Sequence, residues 1–186
     1  MEIELKLRLL SKQAYSTCIN LFKSKLAQST FIGTEWQENT FLDGPTREFE
    51  SQRRTIRLRK ATRFQADTNT TQPHSVITLK GNGKLVDGVS RIEELEEGID
   101  EETLELLLKD PKRIREFVAK YPLLDKVVKE HPKPDELRII GRFKNCRNIF
   151  KWNELKIEVD ETSYSFGDAY EIEIETEEPQ KAHDLM

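Results

Sequence analysis

Met1-Glu2-Ile3-Glu4-Leu5-Lys6-Leu7-Arg8 opens the chain, and read with a period of two it divides into a charged face (Glu2, Glu4, Lys6, Arg8) and an apolar one (Ile3, Leu5, Leu7). Strict alternation of this kind predicts a β-strand with two chemically different sides. The same test succeeds further along. Arg57 and Arg59 alternate with Ile56 and Leu58, and Thr78 and Lys80 with Ile77 and Leu79. Arg91 and Glu93 flank Ile92; Lys156, Glu158 and Asp160 alternate with Leu155, Ile157 and Val159; Glu171, Glu173 and Glu175 alternate with Ile172 and Ile174. The charged faces also sort by sign: the strand around Arg57 is basic, the last is acidic and the first carries both.

One strand of this type is ordinarily an antiparallel strand with a solvated face. The set asks for more. If helices cover the apolar faces and the sheet closes, the charges line a polar interior. Enclosing unpaired charges costs several kcal/mol each even after relaxation, roughly, so acids, bases and a charged ligand have to neutralise one another. Glutamates at i, i+2 and i+4 repel unless a cation sits among them, and paired arginines repel unless an anion does. A metal-bound polyanion meets both demands, because Mg²⁺ or Mn²⁺ takes carboxylate and phosphate oxygens and arginine forks match phosphate geometry.

Composition agrees with a soluble intracellular protein. The 186 residues are 34% charged but carry a net charge of only −4, so the charges must be placed locally and a globally basic nucleic-acid binder is excluded. Cys18 and Cys146 have neither a metal-ligand nor a disulfide spacing and read as reduced thiols. No apolar run approaches the ~18 residues of a membrane span, and the charged N-terminal strand is no signal peptide. Cytoplasmic location follows as the expectation.

Between the strands, Ser11 reads as the N-cap of a helix carrying Ala14, Cys18, Leu21 and Phe22 on one face. Glu35–Leu42 is predicted as a strand ended by Asp43-Gly44-Pro45. Residues 61–75 are polar and aperiodic and read as a flexible loop, and Gly81-Asn82-Gly83-Lys84 as a hairpin turn. Asp100–Tyr121 is predicted helical with a break near Pro111, followed by a short helix over Leu123–His131. Leu137–Cys146 and Arg147–Trp152 read as strands or as one bent strand. His74, His131 and His183 read as solvated; Trp36, Phe41 and Trp152 read as core or barrel-outside residues, leaving no evident set of base-binding aromatics.

Glu2-x-Glu4-x-Lys6 resembles the ExExK motif of the CYTH superfamily, the triphosphate tunnel metalloenzymes. The resemblance continues through Asn39–Pro45, Arg57-Leu58-Arg59, Thr78-Leu79-Lys80, Ser90–Glu94, Arg147, Leu155–Asp160 and Tyr170–Glu175, nearly the whole chain in order. The wording Glu-Val-Asp-Glu-Thr and Glu-Thr-Glu-Glu-Pro is most similar to plant inorganic tripolyphosphatases. The resemblance implies an α+β fold, a closed eight-stranded antiparallel β-barrel forming a triphosphate tunnel, with helices packed outside. It implies a single domain over residues 1–186 whose C-terminal helix and lysine-bearing segment are missing after Met186, with activity reduced accordingly.

By the same resemblance, Lys6, Arg57, Arg59, Lys80, Arg91 and Arg147 clamp phosphate oxygens. Glu2, Glu4, Glu173 and either Glu171 or Glu175 hold Mg²⁺ or Mn²⁺. Lys80 with Glu93 or Glu94 serves the chemical step. Leu95 stands where the family alternation after Glu93 usually continues, so Glu93, Glu94 and Glu96 all remain open as the inward acid. The implied reaction is hydrolysis of tripolyphosphate to pyrophosphate and phosphate. Thiamine- or nucleoside-triphosphate hydrolysis, ATP cyclisation, and non-catalytic polyphosphate or nucleotide binding are the alternatives. The expected partner is a small polyanion, with no nucleic acid and no membrane, acting on a monomer or weak dimer. A nucleic-acid surface over Arg53, Arg54, Arg57, Arg59, Lys60 and Arg63 is disfavoured, because alternation divides these residues between two faces.

Overall fold

The computed structural model describes residues 2–86, 89–131 and 133–176, without the side chains of Glu2, Asn82, Lys84, Leu85, Val86, Ser90 and Arg91. Strands β1 (Glu2–Leu9), β2 (Ser29–Asp43), β3 (Arg54–Gln65), β4 (Thr70–Val86), β5 (Val89–Gly98), β6 (Arg138–Trp152), β7 (Leu155–Tyr164) and β8 (Gly167–Glu175) form one sheet. Helices α1 (Lys12–Ser24), α2 (Glu48–Ser51), α3 (Glu101–Lys109) and α4 (Pro122–Glu130), with two 3₁₀ turns, lie between them. The strand order β1-β5-β4-β3-β2-β6-β7-β8 closes on itself and every neighbouring pair is antiparallel. The shortest seam joins β1 to β5, Glu2–Leu5 against Val89–Ile92; on its other side β1 pairs Glu4–Leu9 with Tyr170–Glu175 of β8. The opening strand thus closes the barrel, as its alternation requires.

The apolar faces point outward, under two helical layers. Ser11 Oγ accepts from Ala14 N and starts α1, whose Tyr15, Cys18 and Phe22 pack with Leu5, Phe150, Ile157, Val159, Ile172 and Ile174. Asp100 caps α3 by accepting from Thr103 N, and Pro111 follows the helix end at Asp110. Leu104, Leu107, Ile114, Leu124 and Val127 then cover Leu42, Ile56, Leu58, Ile77 and Leu79. Burial of these faces fixes register, since a slip of one residue would exchange the inner and outer sets.

Two segments differ from the sequence expectation, and a third falls on one of the two readings it left open. Residues 61–75 are the end of β3, a turn at Ala66–Asn69 and the start of β4, with Lys60 opposite Ser75 and Gln65 opposite Thr70. Pro73 is tolerated because β5 pairs with β4 only from Val76 onward, which leaves the preceding stretch an edge. Gly81–Lys84 is not a turn but a register irregularity inside β4, which runs on to Val86. Finally, Arg138–Trp152 is one continuous strand, bent where its register with β2 shifts.

Phe150, fully buried, has its ring centroid 5.3 Å from Phe22 and 5.5 Å from Phe31. Phe150→Ala is expected to lower stability by about 3–5 kcal/mol, read as a shift in the urea midpoint.

Candidate functional site

The inward positions of all eight strands enclose a cavity of about 510 Å³. Nine carboxylates and seven basic side chains are among its lining residues, so the described lining is itself net acidic. A bare polyanion would be repelled from such a lumen unless a cation entered with it.

One wall is acid against acid. The β7–β8 register sets Glu158 opposite Glu173 and Asp160 opposite Glu171, an arrangement that is destabilising without a counter-charge. Two bases from neighbouring strands supply it. Arg147 on β6 donates to Asp160 through Nε and Nη2 at 2.9 and 2.6 Å, to Glu173 Oε2 at 2.7 Å, and pairs with Glu158. Lys6 on β1 pairs with Glu173 and lies 2.9 Å from Glu4 Oε2. Burial disfavours the charged form of Glu173, but Arg147 and Lys6 outweigh it and hold its carboxyl down at about 2. Burial and the nearby Glu173 push Glu171 up instead, and burial likewise raises Asp160 despite its bond to Arg147. The acids therefore exceed the positive charge at hand.

The opposite wall is basic. Arg57 on β3 is half-buried against Glu94 and Glu96 at 3.3 and 3.2 Å and donates to Thr78 at 3.2 Å. Burial and the neighbouring Arg59 lower its guanidinium to about 10, with the two glutamates offsetting only part of this, and its Nε is buried with no hydrogen-bond partner. Lys80 on β4 pairs with Glu94. Arg59 donates to Asn39 at 3.2 Å, and a ladder along β2 continues through Gln37 to Glu35, which Arg63 closes.

Of the sequence-predicted residues, Lys6, Arg57, Arg59, Lys80, Arg147, Glu4, Glu94, Glu171, Glu173 and Glu175 all line this cavity. The side chains of Glu2 and Arg91 lie outside the described residues. Glu93 is not brought to the lumen: opposite Gly81 on β5, it faces an outer groove with Arg54 and Glu130. The inward acids of β5 are Glu94 and Glu96, in phase with Ile92, which shifts the alternation by one residue from the sequence reading. Sequence reasoning missed Glu35, Gln37 and Asn39, because of the outward residues beside them only Trp36 is apolar, while Glu38 and Thr40 are polar and mark no side. It noticed Asp160 by alternation without giving it a role. Phe41 also departs from expectation: it lines the lumen, whereas half-exposed Trp36 and core-packed Trp152 lie outside. His131, read as solvated, is buried and stacks on Phe49.

The donor set suits a hard divalent cation. Asp160, Glu171 and Glu173 each offer an oxygen within 4.8 Å of the others, and Glu4 Oε2 is buried and accepts no hydrogen bond despite the charge of Lys6 beside it. Mg²⁺ and Mn²⁺ favour hard oxygen ligands, Mg²⁺ typically through one or two carboxylates with water or phosphate oxygens completing the shell.

A family model described as the CYTH domain matches residues 1–186. Among solved structures, HpAC1 from Hippeastrum, described as a candidate adenylyl cyclase with a dominant triphosphatase activity, is 32% identical at a TM-score of 0.86, covering 100% of this chain and 84% of that one. An adenylate cyclase candidate from Bacillus halodurans is similar in fold (19% identity, TM-score 0.64, covering 98% of this chain and 84% of that one). So is a protein from Pyrococcus horikoshii OT3 (18%, TM-score 0.61, covering 100% and 85%). No curated protein matches the sequence.

Two outcomes follow from the acid wall. Arg147→Ala strands Asp160, Glu158 and Glu173 without their shared base and is expected to cost about 3–5 kcal/mol of stability, measured by chemical denaturation. Adding Mg²⁺ to the wild type at about 100 times its dissociation constant should raise stability by ~2.7 kcal/mol. Calorimetry of wild type and Glu173→Gln should show that gain shrinking in the variant.

Proposed function

Because the chain belongs to the CYTH domain family, whose members are metal-dependent, we propose that it hydrolyses inorganic tripolyphosphate to pyrophosphate and phosphate inside its charged tunnel. The observation that carries this reading is the facing of a surplus acid wall by a base wall whose central arginine, Arg57, lacks full compensation. The triphosphatase activity ascribed to HpAC1, similar over the whole chain, supports it.

Asp160, Glu171, Glu173 and Glu4 would hold Mg²⁺ or Mn²⁺, which when bound neutralises charge on phosphoryl oxygens. The chain's own bases do the positioning. Arg57, Arg59, Lys80, Lys6 and Arg147 converge on the lumen from four strands and donate to phosphate oxygens, the arginines as forks, aligning the terminal phosphorus for in-line attack. Glu94, held by Lys80 and Arg57, orients a water and takes its proton as the new P–O bond forms; the bridging oxygen leaves with pyrophosphate. Glu96, bonded to Thr78 at 2.9 Å, keeps Arg57 in place. Residues 1–186 act in this reading as one domain, a cytoplasmic monomer or weak dimer. Among the described residues, no helix is long and apolar enough to cross a membrane.

The assay is phosphate release from tripolyphosphate with Mg²⁺ or Mn²⁺. Arg57→Ala is expected to lower kcat by about 10²–10³, by analogy with loss of one oxyanion donor, and Glu4→Gln to weaken metal-dependent turnover. Equal rates in the wild type and both variants would remove the assignment. Tight tripolyphosphate binding without any turnover would make the protein a polyphosphate-binding module instead.

A further inference from the structure

Glu35 lines the lumen, yet it belongs neither to the acid wall nor to the residues proposed to hold phosphate. It is 1% exposed. Burial disfavours its charged form, but Arg63 and the Gln37 amide outweigh this and hold the carboxyl below the usual range. Arg63 reaches Glu35 Oε2 with both Nε and Nη2, Gln37 Nε2 donates to Oε1 at 2.7 Å, and His74 Nε2 lies 3.6 Å from Oε2. A carboxylate gripped in this way is a fixed charge on a strand, and the arginine that grips it is already engaged.

The inward rows of β2 and β3 locate the pair. Phe41 is opposite Arg57, Asn39 opposite Arg59, Gln37 opposite Ala61 and Glu35 opposite Arg63. After Arg57 and Arg59, the next inward side chain on β3 is Ala61, which has no donor to offer. Across from it, Gln37 turns its amide nitrogen to Glu35 and accepts from Asn39 at 3.4 Å. The Glu35–Arg63 pair follows, four residues and ~13 Å beyond Asn39 and Arg59 along extended strands. Past the pair the walls change character. Lys156 is bound to Glu158 at 2.7 Å, and a second cavity of about 320 Å³ sets Ile32, Phe64, Ile149 and Leu155 beside Arg63 and Lys156.

The other end of the same rows is aromatic. Phe41 packs on Phe143 of β6, Phe143 on Tyr164 of β7 and Tyr164 on Phe166, with centroids 5.4, 5.3 and 5.1 Å apart. Phenyl rings give a phosphate oxygen no hydrogen bond. On β2 and β3, the stretch that can donate to a phosphate chain is therefore bounded by rings on one side and by an ion pair without net charge on the other.

We propose that the Glu35–Arg63 ion pair is the chain-length stop of the tunnel, keeping Arg63 from a fourth phosphate and so selecting tripolyphosphate over longer linear polyphosphates. The stop rests on the tripolyphosphatase reading of the lumen and assigns its length selectivity to residues outside the chemical step. A longer chain brings further negative charge out of water, and the pair returns no net charge to offset that cost. Replacing Glu35 by its neutral isostere frees the Arg63 fork, whose geometry matches phosphate. Replacing Arg63 instead bares a buried carboxylate to the chain. The two changes must move length selectivity in opposite directions.

The test measures kcat/KM with Mg²⁺ on tripolyphosphate and on linear tetrapolyphosphate for the wild type, Glu35→Gln, Arg63→Gln and the double variant. Glu35→Gln is expected to raise the tetrapolyphosphate-to-tripolyphosphate ratio about 10-fold, equivalent to ~1.4 kcal/mol and within the range of one partly screened charge contact. Arg63→Gln should lower it by a similar factor, and the double variant should return it close to the wild-type value. Should Arg63→Gln not fold, the other two variants decide: the gain must appear in Glu35→Gln and vanish in the double variant. Equal losses on both substrates with the ratio unchanged make the pair merely structural and overturn the stop. A shift of the ratio in the same direction in both single variants, or a wild type that prefers tetrapolyphosphate, also overturns it alone. A wild type that hydrolyses neither substrate removes the tripolyphosphatase reading together with the stop.

Discussion

Glu158 faces Glu173, and Asp160 faces Glu171, across the β7–β8 ladder. Like charges in direct register push strands apart, and here they do so in a buried setting where water screens them poorly. The barrel holds because Arg147 from β6 reaches Glu158 and Asp160 on β7 and Glu173 on β8, and Lys6 from β1 meets the same Glu173 from the other side. Each base therefore ties neighbouring strands together while leaving the acid wall short of positive charge. Closure of the fold and demand for a cation come from the same residues.

That constraint explains why the barrel is turned inside out relative to a ligand-free sandwich. Leu5, Ile56, Ile77, Ile157 and Ile174 face outward because helices cover them, and α1, α3 and α4 exist to do so. The helical layers stabilise by ordinary apolar burial, at roughly 25 cal/mol per Å², which offsets part of the cost of gathering charges inside. Arg57 shows what that cost leaves behind: a guanidinium lowered by burial and by Arg59, with one buried N–H unmatched. A phosphate oxygen is the natural complement of such a group.

Most of the lumen was legible as period-two alternation, because in β1, β3, β7 and β8 the outward residues are plainly apolar and label the other face by elimination. The signal failed where that contrast fades. In β2, Glu35, Gln37 and Asn39 alternate with Trp36, Glu38 and Thr40, so neither face is marked. In β5, Arg91-Ile92-Glu93-Glu94-Leu95-Glu96 places Ile92 in phase with the inward acids, and apolarity pointed to the wrong side. Residues 61–75 read as a loop because polar residues occupy both faces; the pairing of Lys60 with Ser75 and its neighbours is long-range and leaves no local trace.

Local chemistry in the chain was enough to determine the strands with one charged face, the cap at Ser11, the acidic and basic character of the separate walls, and through the ordered motifs the family. These depend on side-chain periods of a few residues. Which charges meet was decided only by closure. Lys6 and Glu173, Arg147 and Asp160, and Arg57 and Glu94 are far apart in sequence or on different strands, and barrel register alone brings them within bonding distance. The same holds for the aromatic row, whose rings come from β2, β6, β7 and a turn. For that reason the opening strand acquires its meaning late: Glu4 and Lys6 become part of a site because β1, lying between β5 and β8, is the piece that shuts the tunnel.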